Sequence, residues 1–165
     1  LNFTDLVMLD IKHIESESHK ALTGHDNQNI LAFAKHLEEH PEIQIVLDIH
    51  RDSIVYDDNT KAKTVTNIER MPTAQLMFVV GTDEKGLEHP SWRNNLTVAV
   101  QMQTLIAKRY SGLMRHINLR KERFNGHTSG ASMIIEVGTS GNSLEEALRG
   151  IEKAGECIAD YLNAL

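Results

Sequence analysis

The sequence predicts an α/β fold: a single three-layer domain with a mostly parallel central sheet and helices on both faces. Three observations carry this. The runs Ile43–Ile49, Leu76–Val80 and Met133–Val137 are nearly continuous in apolar residues, as strands buried on both faces are. Helical periodicity fills stretches between them, giving the strand–helix alternation of α/β proteins. The chain has 165 residues, 41% apolar and 24% charged, enough for one packed core. No linker or internal repeat divides it, so residues 1–165 are read as one domain.

The elements follow in order. Leu6–Leu9 is a short apolar run that reads as a strand. From Asn27 to His40, Ile30, Leu31, Phe33, Ala34 and Leu37 recur at helical spacing, and Pro41 ends that helix. Ile43–Ile49 is the next strand, rich in β-branched residues. Residues 51–74 are polar and read as a loop or an exposed hairpin closing at Met71-Pro72. Leu76–Val80 is a buried strand stopped by Gly81, and His89-Pro90-Ser91-Trp92 opens a helix carrying Leu96, Val98, Ala99, Met102, Leu105 and Ile106. Met133–Val137 is a further strand, ended by Gly138. Ser143 to Glu146 has the pattern of a capping box, opening a helix that runs to about Leu162, with Cys157 as an inert core thiol.

Composition excludes several classes. With 17 Lys and Arg against 23 Asp and Glu, the net charge is −6, the wrong sign for a broad nucleic-acid footprint. One cysteine cannot form an internal disulfide, so this is no secreted disulfide scaffold. The longest apolar run, Leu76–Val80, is too short to span a bilayer, and no direct membrane contact is expected. The chain opens at Leu1 without an initiator Met, so it is expected to be a piece of a longer protein whose membrane anchor lies outside it.

Two polar residues interrupt strands that otherwise read as buried. His50 ends the run Ile45–Ile49, with Arg51 and Asp52 beside it, and Glu136 sits within Met133–Val137. An unpaired carboxylate there is costly or takes up a proton, and a metal or its water would relieve that cost. Blander readings stay open: a hydrogen-bonded structural histidine, and a glutamate paired with Arg51. The histidines at 36, 40, 89 and 116 fall on helices or turns and are expected to be solvated.

Sharper motifs fail. His50-Arg51-Asp52 resembles a kinase catalytic loop, but Asp57 stands where the Asn is needed, and no glycine-rich phosphate loop occurs. Gly138-Thr139-Ser140-Gly141 lacks the spacing of a nucleophile elbow, and no dinucleotide fingerprint is present.

Several segments taken in order are more specific. They are Val46–Ser53, Ala74–Gly81, His89–Leu96, Tyr110–Leu113, Phe124–His127, and Ile135–Gly138 leading to Asn142–Ala147. Over roughly residues 25–162 the chain resembles the stage II sporulation protein P family, itself similar to zinc-dependent N-acetylmuramoyl-L-alanine amidases. The resemblance implies a cell-wall hydrolase acting in forespore engulfment, outside the cytoplasm. Peptidoglycan and other engulfment cell-wall proteins would be its partners. It also implies Zn2+ held by two His and one Glu, with a second Glu as acid/base. By matching motif, His50 is expected to be a zinc ligand and Glu136 the catalytic carboxylate. Arg51, Asn125, His127 and Asn142 are expected to orient glycan or peptide, with loop hydrogen bonding as their other reading.

The family's first motif, a strand followed by His-Thr-His-x-x-Glu-Ser-Tyr, is not matched cleanly. Val7–His13 followed by Ile14–His19 fits only with an extra residue, and lies closer to His50 than the family spacing. Either His13 is the second ligand, with Glu17 behind it, or the first motif lies upstream of Leu1. With a complete site, zinc would lower the pKa of its water to roughly 7. Glu136 would then carry the proton to the leaving amide nitrogen. A rival reading is a non-catalytic module of the same fold that binds peptidoglycan or a sporulation partner. A third is a hydrolase that also cuts peptide cross-links.

Overall fold

In a computed structural model the protein is described over residues 15–40, 43 and 45–165. The expected strand at Leu6–Leu9, Pro41 and the candidate ligand His13 lie outside these residues. A short helix that no apolar stripe announces, α1 (Ser16–Thr23), precedes α2 (Gln28–Glu39), which realises the first helical pattern. β1 (Ile45–Asp52) runs past Ile49, so His50, Arg51 and Asp52 belong to the strand itself. The polar stretch that follows contains a hairpin, β2 (Val65–Ile68) and β3 (Met71–Ala74), paired antiparallel. Its turn residues Glu69 and Arg70 both sit at positive φ, 52° and 67°, the backbone that a tight hairpin turn requires.

β4 (Leu76–Gly81) is buried along its whole length and is followed by α3 (Trp92–Arg109). β5 (Asn118–Arg120) is short, carries no apolar pattern and was not legible in the sequence. β6 (Ala131–Thr139) leads into α4 (Leu144–Leu162). The capping box is present: Glu146 N donates to Ser143 Oγ at 3.2 Å, and Ser143 N donates to Glu146 Oε2 at 3.1 Å.

The main sheet has the order β1-β6-β4-β5. β1–β6 and β4–β5 are parallel, and β4–β6 is antiparallel, so the sheet is mixed and mostly parallel. The connections explain the difference. A helix, α3, carries the chain from β4 to its parallel neighbour β5, as parallel pairing requires. A hairpin, β2–β3, lies between β1 and β4, so nothing enforces a parallel return.

Side chains alternate across the sheet. Leu47, Leu76, Phe78, Val80, Met133 and Ile135 point into one core with Ala99, Met102 and Ile106 of α3 and Ala154, Cys157 and Ile158 of α4. Both long helices therefore lie on one face, and Cys157 is buried as expected. The intervening residues Asp48, His50, Met77 and Glu136 point to the other face, outside that cluster.

Candidate functional site

Period-2 geometry places Asp48 and His50 one pleat apart on the same face of β1. Asp48 Oδ1 lies 2.9 Å from His50 Nε2, at ion-pair distance. His50 is the register partner of Glu136 on β6, so the two backbones stand about 4.8 Å apart, the ordinary strand spacing. Beyond this pair the register slips: Asp52 pairs with Thr139, leaving an extra residue on β6 at a bulge. Gly138 there takes φ 66°, a conformation side chains with a Cβ rarely adopt. The bulge lies at the carboxyl end of both strands, where α/β proteins gather their chemistry.

Glu136 is half-buried, and its Oε2 is buried with no hydrogen-bond partner among the described residues. Burial pushes its carboxyl above the usual range; His50 and Arg115 oppose that, and Asp52 and Asp48 add to it. Asp52 is held by Arg115, whose NH1 donates to Asp52 Oδ2 at 2.7 Å. Asp48, Asp52 and Arg115 were not singled out in the sequence. The first two had a signal, the Asp-x-His-x-Asp spacing of residues 48–52 on one strand. Arg115 had none, because only the tertiary fold brings it here.

The remaining expected residues are placed as follows. Arg51 faces away from Asp48 and His50, and its NH2 donates to Thr139 O at 2.8 Å and Asn142 O at 2.5 Å. Asn142 is buried and both its polar side-chain atoms are engaged. Oδ1 accepts from Thr139 N at 2.9 Å, and Nδ2 donates to Glu146 Oε2 at 2.9 Å and Thr64 O at 3.1 Å. Lys63 Nζ completes that group at 2.6 Å from Glu146 Oε1, and Lys63 and Asn142 together hold the Glu146 carboxyl down to about 2. Arg51 and Asn142 thus bind the end of β1 and the turn before α4 to each other.

Asn125 lines a small cavity with Asp48, Ser132 and Ile134, and its carbonyl accepts from Thr128 Oγ1 at 2.8 Å and Ser132 Oγ at 3.0 Å. His127 is half-buried nearby. One expectation is corrected: His89 is 1% exposed, not solvated. Asn95 Nδ2 donates to His89 Nε2 at 3.3 Å and to Gly126 O at 2.7 Å, and this buried network fixes the 123–128 loop over the sheet. Burial first, then His127 and Arg123, depress the His89 imidazole. The pattern that suggested solvation missed that the His89-Pro90 turn precedes α3 and is covered by Gly126. Of the other three histidines, His116 is exposed and His36 and His40 are partly so.

Among the described residues no three His, Cys, Asp or Glu side chains form a group that could hold an ion. His50 and the orphaned Glu136 oxygen fit part of such a site. Glu17 is exposed on α1.

Comparison with known proteins places the chain. The family model of stage II sporulation protein P matches residues 27–159, leaving His13 and Glu17 outside the match. Stage II sporulation protein P of Bacillus subtilis is 26% identical over 129 residues, 75% of this chain and 30% of that protein, so the chain spans under a third of that relative. A stretch of 36 residues, 22% of the chain, is 56% identical to 14% of the pyruvate formate-lyase-activating enzyme of Streptococcus mutans. Among solved structures, the N-acetylmuramyl-L-alanine amidase of Mycobacterium smegmatis is similar in fold, with a TM-score of 0.51 at 13% identity. It covers 86% of this chain, and the match covers 62% of that one.

Proposed function

Because the chain belongs to the stage II sporulation protein P family, we propose that it is the core of a sporulation peptidoglycan hydrolase. The bond it cleaves is the amide between N-acetylmuramic acid and L-alanine, and its metal is zinc. The observation that carries this reading is the register pairing of His50 with Glu136 near the carboxyl ends of two parallel strands, the carboxylate keeping one buried oxygen without a hydrogen-bond partner among the described residues. The amidase-like fold supports it. Zinc, when bound, supplies a water acidic enough to be deprotonated near neutral pH.

The chain's own residues do the rest. His50 holds the metal, with Asp48 orienting its ring. Glu136 accepts the proton of the attacking water and returns it to the amide nitrogen as the C–N bond breaks. Further ligands come from outside the described residues. His13, outside the family match as well, stays the chain's own candidate. The surroundings are the cell wall and the engulfment machinery, reached through an anchor in another part of the protein. Among the described residues no helix is long and apolar enough to cross a membrane.

A second reading draws on one observation, that no three-donor cluster forms among the described residues. On that reading the domain binds peptidoglycan or a partner without cutting it. One experiment separates the two: stem-peptide release from purified peptidoglycan, run beside zinc quantification on the same preparation. Cleavage at one zinc per chain supports the hydrolase. A chain that stays metal-free and inert after zinc dialysis while retaining wall binding supports the module.

A further inference from the structure

Beside Glu136, on the same face of the sheet, lies a groove that the proposed reaction does not use. β4 sets Met77 opposite Glu136. A bridge between Leu76 and Met114, reinforced by Arg115 N donating to Leu76 O at 2.7 Å, holds residues 114–118 alongside β4. Gln75, Met77, Arg115, His116 and Asn118 line the open trough between them. Met77, Met114 and Ile117 give its walls an apolar share, and its fixed cation is Arg115.

The guanidinium is held before any ligand arrives. Its NH1 donates to Asp52 Oδ2 at 2.7 Å, with the two side chains only 24% and 21% exposed. That bond uses one of five N–H donors and sets the plane of the fork. Met77, a lining residue, is the register partner of Glu136, so the trough opens beside the proposed catalytic carboxylate. In a chain of net charge −6, a fixed cation lining a groove is a selective feature for an anionic group.

The geometry points to a peptide subsite: the groove takes an extended peptide leading away from the scissile bond, and Arg115 reads a free carboxylate on it. The wall-hydrolase reading supplies the identity of the peptide, while the binding itself needs no cleavage. A γ-linked glutamyl residue in a wall peptide carries such a free α-carboxylate. A carboxylate accepts two charge-assisted bonds from the guanidinium fork. A carboxamide offers one oxygen and turns N–H donors toward donors. The groove therefore discriminates acid from amide.

The test uses the full chain and two probes that lack the scissile bond: the tripeptide Ala-γ-Glu-Lys with a free α-carboxylate, and the same tripeptide with that group amidated. Calorimetric titration should show the acid form binding about tenfold tighter or better. Arg115→Gln should abolish the difference, and Arg115→Lys, which keeps charge without the fork, should keep part of it. Equal binding of both forms, binding of neither, or a preference that survives Arg115→Gln overturns the subsite. Should Arg115→Gln fail to fold, backbone amide shifts of the wild-type chain titrated with the acid probe decide. Shifts centred on Gln75, Met77 and Arg115–Asn118 support the groove; shifts centred elsewhere overturn it. Failure of the catalytic reading shows separately, as absent stem-peptide release, and leaves the acid-over-amide preference intact.

Discussion

Asp48 Oδ1 stands 2.9 Å from His50 Nε2, one pleat back on the same strand. A carboxylate at that distance holds an anionic charge beside the imidazole, and carboxylates so placed support metal-binding histidines. Asp48→Ala is therefore expected to lower zinc affinity about 10–100-fold while leaving the fold intact. Chelator competition measures the affinity, and far-ultraviolet circular dichroism checks the fold. Unchanged affinity would detach Asp48 from the site.

Glu136→Gln is expected to lower stem-peptide release roughly 10²–10⁴-fold with zinc content unchanged. Glutamine keeps the shape and a hydrogen bond but takes no proton from water. Retained cleavage would show that another group carries the proton. Loss of zinc together with activity would show that Glu136 is a ligand.

Glu146 supplies the pH dependence. Its carboxyl, ordinarily at 4.5, is held at about 2 in the folded chain by Lys63 and then Asn142. A depressed folded value means the contribution is complete above the unfolded value and fades as pH falls through the folded one. The melting-temperature gap between the native chain and Glu146→Gln should be widest above about pH 5 and close between pH 4.5 and about 2. The half-exposed Lys63 keeps that gap modest. A gap that widens in acid would contradict the assignment.

Gly126→Ala tests the loop over the sheet. A Cβ there would lie 2.6 Å from His89 Nε2 and 3.1 Å from Arg123 O. The imidazole is packed in place, so the loop must shift, at a cost of about 1–3 kcal/mol. Urea unfolding measures it. A substitution without cost would mean that the His89–Asn95–Gly126 contact does not hold the loop.

The strands and helices that build the core were legible because burial writes a period into the chain. Leu76–Gly81 and the Ser143 capping box needed only local spacing, and His50 and Glu136 stood out as polar interruptions of apolar runs. What local spacing could not determine is adjacency. β4 runs antiparallel to β6 because a hairpin, not a helix, connects it to β1, and β5 exists only because β4 offers it an edge. Asn142 and Arg51, read from motifs as groups for glycan or peptide, also make bonds around the turn before α4, Asn142 through both side-chain polar atoms and Arg51 through NH2. Arg115 lies 63 residues from Asp52 in sequence, and their ion pair exists only in the folded chain. Sequence patterns report which side chains avoid water. Which two groups meet is set by strand order and register, and these depend on pairings between distant segments.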